Sequence, residues 1–144
     1  ELSALLADEL WSLVGANSNP IAAGYVQEMV KTIRGLGGIA VTSTQGMQDL
    51  FGLEGGKYGK GILDSSRIKL VMQMEEQEAR LIQGVLNLSE DEVRQVTRFR
   101  RGEGLLCIGY NHVPISIYVT PKEYDAITTS PTDLRSRWEG TDHE

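Results

Sequence analysis

Two short apolar runs, Leu2 to Ala7 and Ile39 to Thr44, flank a segment built to be a helix, and this spacing constrains the fold more than any other feature of the sequence. Asn19 can cap the first turn, and Pro20 at the first helical position gives up an amide that has no helical partner there. Ala22, Tyr25, Val26, Met29, Val30 and Ile33 then recur at helical spacing, with Gln27, Glu28, Lys31 and Arg34 on the other side. Gly35, Gly37 and Gly38 stop the helix. The run Ile39 to Thr44 is β-branched and reads as a strand. Leu2 to Ala7 lacks strict alternation, as a strand covered on both faces does, although its periodicity alone leaves a helix open. A strand, a helix and a second strand at this spacing predict a parallel pair.

Further on, Met47 to Phe51 predicts a short helix, and glycine-rich Leu53 to Gly61, with two lysines, a mobile loop. Arg67 to Gln73 predicts a strand and Glu75 to Val85 a charged helix. Ser89-Glu90-Asp91-Glu92 has the form of a capping box, in which Ser and the Glu three residues on satisfy each other's backbone amides. The helix it opens carries Val93, Val96 and Phe99 and closes on Arg98, Arg100 and Arg101, which suit the negative end of the helix dipole. Leu105 to Tyr110 and Val113 to Tyr118 predict a hairpin turning at Asn111-His112. Thr120-Pro121-Lys122-Glu123 repeats the cap, proline and glutamate pattern. Beyond Thr129 the chain turns polar, and residues 130-144 read as a loose tail with Trp138 as its possible anchor. The fold class is α/β: a mostly parallel sheet with flanking helices and a C-terminal β-hairpin.

The 144 residues, 40% hydrophobic and 24% charged, suit one globular domain. A net charge of -6 argues against a nucleic-acid surface spread over the whole domain, since phosphate neutralisation needs clustered Lys and Arg. The lone Cys107, in an apolar run, reads as a buried thiol in a reducing, cytoplasmic setting. No apolar stretch approaches the ~20 residues of a membrane span, so the chain reads as soluble. It opens almost directly on an apolar run, which reads as a fragment boundary.

Ligands of open α/β sheets lie beyond the carboxyl ends of the strands, where this sequence places Asp8-Glu9 and Gln45. A carboxylate there can hold magnesium, directly or through water, and a second one can deprotonate an attacking water. Asp8 is the metal candidate and Glu9 the base. The side-chain amide of Gln45 can hydrogen-bond that water or a terminal phosphate. The competing reading makes Asp8-Glu9 the start of a helix over Leu10-Trp11-Ser12-Leu13. His112 and His143 are too isolated to be metal ligands or catalytic bases and read as solvated, while Tyr110, Tyr118 and Tyr124 read as packing residues.

These residues resemble the carboxyl-terminal segment of the type IV secretion and conjugative-transfer ATPases, the VirB/TrbE/CagE class, over roughly Leu5 to Thr129. Asp8-Glu9-Leu10-Trp11 is similar to the Walker B ending Asp-Glu-Ala-Trp, and Ile39 to Gln45 to a strand ending in Thr-Gln. Leu88 to Glu92, Gly102 to Leu106 and Glu123 to Thr129 extend the match. The resemblance implies a RecA-like motor, commonly a hexamer, that uses ATP with magnesium at the cytoplasmic base of a secretion or conjugation channel. It also implies an arginine supplied by the neighbouring subunit. Arg34 is the first candidate for it; Arg98, Arg100 and Arg101 are alternatives that also read as solvated helix-end charges.

The sequence lacks the phosphate-cradling Gly-x-x-x-x-Gly-Lys-Ser/Thr. Gly55-Gly56-Lys57-Tyr58-Gly59-Lys60 fails that pattern, because Phe51 and Glu54 stand where the first Gly belongs and Tyr58 and Gly61 follow the lysines. Residues 1-129 are therefore expected to form a RecA-like domain from the Walker B strand onward, without Walker A, and to bind no nucleotide tightly alone. In RecA-like sheets the missing strand lies between the sensor strand and the next, here Ile39 to Thr44 and Arg67 to Gln73. Its loss predicts unpaired edges and rearranged or intermolecular strand pairing. Two other readings stay open: a non-catalytic α/β interaction module, and a segment of a DNA-translocating ATPase, which leaves nucleic acid undecided as a partner.

Overall fold

The computed structural model describes residues 3–132. Leu2, Trp138 and His143, and most of the expected tail, lie outside the described residues. Strand β1 (Ala4–Ala7) ends at Asp8-Glu9 and is followed by a single helical turn, α1 (Trp11–Val14). Asp8-Glu9 thus closes a strand and precedes, without capping, a helical turn whose cap is Leu10. Helix α2 (Pro20–Thr32) starts where the Asn19 side-chain oxygen Oδ1 accepts from the Ile21 amide at 2.8 Å. A 3-10 turn (Ile33–Leu36) and Gly37, at a φ of 75°, lead into β2 (Ile39–Thr42). The strands pair in parallel, Ala4 with Ile39 through Ala7 with Thr42.

One face of this pair, carrying Ala4, Leu6, Ile39 and Val41, is exposed, with Leu6 75% open. The double coverage expected of the first strand is not seen among the described residues. The open face is as apolar as the covered one, so the lack of alternation in the sequence marks a surface that remains uncovered within these residues.

Helix α3 (Met47–Leu50) leads to a 3-10 turn (Leu53–Gly56) and then α4 (Lys57–Ser65). Leu53 to Gly61, expected to be a mobile loop, is therefore ordered. Tyr58 and Ile62, four residues apart, are buried together, and glycine at position 59 permits a close approach that no larger residue allows: a Cβ there would lie 2.5 Å from the Leu50 carbonyl oxygen. The lysines are held locally, Lys57 by Glu54 at 3.3 Å and Lys60 by the Gly55 carbonyl at 3.1 Å. This arrangement fits a self-contained helical turn and not a phosphate cradle.

Strand β3 (Ile68–Met72) pairs antiparallel with β4 (Glu103–Ile108), which pairs antiparallel with β5 (Asn111–Ser116). Between them run α5 (Glu76–Leu86) and α6 (Glu90–Arg98), and α7 (Pro121–Ile127) follows β5. The α/β class, with a parallel pair and a terminal hairpin, is the one read from the sequence, but the strands are not mostly parallel among the described residues, because β3 joins the hairpin in an antiparallel sheet. The strands form two sheets, β1-β2 and β3-β4-β5; among the described residues no strand joins β2 to β3, the two strands between which the missing one was expected. Val14, Leu50, Ile62, Val93, Val96 and Leu105 anchor one buried cluster that runs through both halves.

The hairpin turns at Gly109-Tyr110, not at Asn111-His112, because Ile108 pairs with Asn111. Gly109 takes a φ of 60°, which suits the first central position of a two-residue hairpin turn. The shift places His112 within β5, opposite Cys107, instead of in solvent. Its side chain is only 9% exposed, and Nδ1 lies 2.7 Å from Glu92 Oε1. Cys107 is buried as expected, and burial pushes its thiol pKa up. Tyr110 and Tyr118, expected to pack, are 93% and 90% exposed; Tyr124 is half-buried beneath the Arg101 guanidinium.

Candidate active site

Asp8, Glu9 and Gln45 follow the carboxyl ends of neighbouring parallel strands, so the backbone brings them together before any side chain acts. The ladder extends past the strands themselves: the Ser43 amide donates to the Ala7 carbonyl at 2.9 Å, and the Leu10 amide to the Ser43 carbonyl at 2.8 Å. Those bonds bracket Asp8-Glu9 against Ser43. The Ser43 hydroxyl donates to Asp8 Oδ1, which also accepts the Glu9 amide at 3.0 Å.

The Ser43 hydroxyl first, and the Glu9 amide second, hold the Asp8 carboxyl below its ordinary pKa, because both bonds favour the charged form. Asp8 is exposed and anionic at neutral pH. Ser43→Ala removes the larger of the two effects, so it should raise the Asp8 pKa toward the ordinary carboxylate value. Carboxyl-carbon NMR titration of the chain checks this; an unmoved titration would show that the Ser43 bond is not made in solution.

Glu9 departs from ordinary strand geometry. Its φ of 51° lies in the left-handed region, where a side chain with a Cβ is strained, and it turns the chain sharply between β1 and α1. The Gln45 side-chain amide donates to Glu9 Oε1, and the Trp11 indole N–H donates to Glu9 Oε2 at 2.7 Å. Three expected site residues are thus in one hydrogen-bonded constellation. Ser43 and Trp11, which the sequence offered only as members of the two resembling motifs and with no role of their own, join them.

Arg34 is elsewhere. It is exposed in the 3-10 turn before β2, whereas Gln45 follows the other end of that four-residue strand. The two lie at opposite ends of β2. Arg98 is exposed at the end of α6, the Arg100 amide is held by Glu103 at 2.7 Å, and Arg101 faces Tyr124.

The overall structure resembles that of VirB4 of Thermoanaerobacter pseudethanolicus, with a TM-score of 0.77 and 32% identity over 85% of this chain and 33% of that one. The chain is a VirB4-like segment. It spans about a third of the length of that VirB4. Weaker likeness extends to the genome packaging NTPase B204 from Sulfolobus turreted icosahedral virus 2. Its complexes with ATP-gammaS and AMPPCP match at TM-scores of 0.60 and 0.61 and 16% identity, over 81% of this chain and 52% and 53% of theirs. At that identity the likeness shows a shared fold alone. No family model matches the sequence. No curated protein matches it either.

For a VirB4-like segment, the donor set suits magnesium in one specific way. Among the described residues no three His, Cys, Asp or Glu side chains form a metal cluster. Magnesium with a nucleotide needs none, because it is commonly held by one or two carboxylates while water and phosphate oxygens complete the shell. Asp8, exposed and held in its charged form, has the chemistry such a ligand needs. Among the described residues no helix is long and apolar enough to cross a membrane.

Proposed function

We propose that this chain supplies the metal-holding and water-activating half of the ATP-hydrolysing site of a motor that energises conjugative transfer or type IV secretion. The observation that carries the reading is the direct hydrogen bonding of Glu9 to Gln45, beside Asp8, at the carboxyl ends of two parallel strands. This position is where an open α/β sheet presents its ligand.

Asp8 would hold magnesium, directly or through water; its Oδ1 is already engaged by the Ser43 hydroxyl and the Glu9 amide. When bound, magnesium neutralises charge on the phosphate oxygens. Glu9 accepts the proton of the attacking water, and Gln45, tied to Glu9 through its amide nitrogen, keeps its carbonyl oxygen for that water. Arg34, at the far end of β2 from Gln45, is our candidate for an arginine that acts on a neighbouring subunit in a ring, a hexamer in the family's usual form. The motor would work at the cytoplasmic face of the membrane beside channel components.

Residues 1-129 form the part of the motor domain from the metal-binding strand onward. The phosphate-cradling loop belongs to the rest of the parent chain, so the 144 residues alone should hydrolyse no ATP. The test is magnesium-dependent ATP turnover by the full-length parent and its loss on substitution of Glu9; a parent that turns over ATP equally well without that carboxylate sinks the assignment.

A further inference from the structure

We propose that Trp11 is the positioning residue for Glu9, and that its indole N–H fixes which carboxylate oxygen takes the proton. The inference rests on the reading of Glu9 as the base. Both oxygens of that carboxylate are engaged, but by donors of different character. Oε2 accepts from Trp11 Nε1 at 2.7 Å, and Oε1 accepts from the Gln45 amide. An indole N–H only donates; it has no lone pair to offer a proton that arrives on the oxygen facing it. A primary amide donates through nitrogen and accepts through oxygen, and a half-turn exchanges the two. The geometry therefore makes Oε2 the anchored oxygen and Oε1 the one that can be protonated and then donate to Gln45.

In the step itself the O–H bond of water breaks and its proton passes to Glu9 Oε1. The electron pair stays on the water oxygen, which bonds to the terminal phosphorus of ATP as the bond to the bridging oxygen breaks, and that pair leaves with the diphosphate. Trp11 touches none of these atoms. Its contribution is orientation: Glu9 lies at a left-handed φ on the turn between β1 and α1, and Trp11, the first residue of α1, ties the side chain back to the same turn. The ring is 37% exposed, so its packing is partial and the N–H bond is its most specific contact.

The experiment is steady-state and single-turnover kinetics of the full-length parent. Trp11→Phe keeps an aromatic ring and removes the donor; kcat should fall about ten- to a hundredfold with KM for ATP unchanged, the size expected for a misplaced reacting group. Trp11→His, which restores a ring N–H, should recover part of that loss. In a Glu9→Gln background Trp11→Phe should cost nothing further, because the group it positions has gone. Equal losses for Phe and His, a rise in KM in place of a fall in kcat, or the same loss in both backgrounds would reduce Trp11 to a packing residue and overturn the inference. Wild-type turnover in Trp11→Phe beside an inactive Glu9→Gln removes this inference and leaves the assignment of Glu9 standing. Wild-type turnover in Glu9→Gln removes both.

Discussion

Glu9→Gln in the full-length parent should lower kcat for ATP hydrolysis by about a hundred- to ten-thousandfold, the range over which a positioned general base contributes. The substitution keeps the length and planarity of the side chain, and its carbonyl oxygen can still accept the Trp11 N–H that now meets Oε2. What it removes is the basic oxygen facing Gln45. Asp8 is untouched, and its bonds from Ser43 and from the backbone amide of position 9 do not depend on the side chain of residue 9. Nucleotide affinity should therefore change little while turnover collapses, which is the signature of an interaction made in the transition state and not in the ground state. ATP binding by calorimetry alongside kcat separates these. Unchanged turnover would show that the base lies elsewhere in the parent.

The carboxylates and the amide of this site were legible because each closes an apolar run, and a parallel pair must put both run ends on one side. Their partners were not. Ser43 lies 35 residues from Asp8, and whether its hydroxyl reaches that carboxylate depends on the pairing of Ala7 with Thr42, which the sequence does not specify. Trp11 enters the sequence reading as the last residue of the Asp-Glu-Leu-Trp resemblance with no role of its own, and its contact with the carboxylate comes with the left-handed backbone at Glu9. Such bonds are set by tertiary geometry and leave no periodic trace. Arg34 is the opposite case, since its place before β2 follows from the order of elements and already separates it from its own site.

The fold divides in the same way. Caps and proline starts located α2, α6 and α7, because a side chain that satisfies an orphan amide acts within four residues. Glycine misled in two places for one reason: it signals either a turn or a close approach. At Gly109 it makes the hairpin turn, two residues before the place read from Asn111-His112. At Gly59 it lets α4 lie against the Leu50 backbone, where composition alone had indicated a mobile loop.

The displaced hairpin turn produces the second large effect, on stability. With His112 carried into β5, Glu92 becomes a node: Oε2 accepts the Ser89 amide and hydroxyl, each at 2.7 Å, and Oε1 faces His112 Nδ1 at 2.7 Å. The capping box of α6 is thereby tied to the hairpin 20 residues on. Glu92→Ala breaks all three contacts and leaves the largely buried His112 side chain without this partner, so it should destabilise the chain by about 2 kcal/mol, the sum of a lost cap and a lost charged hydrogen bond. Urea unfolding of the chain measures it, and an unchanged midpoint would show that the hairpin and the cap do not support each other. Partial burial pushes the Glu92 pKa up, but Ser89 and His112 together outweigh it and hold the carboxyl below its ordinary value. A carboxyl depressed by folding stabilises above its unfolded pKa, and that contribution is lost as pH falls through the folded value. The advantage of the native chain over Glu92→Gln should thus be full at neutral pH and vanish only in acid, below the usual carboxylate range. An advantage that did not change with pH would assign the effect to shape and not to charge.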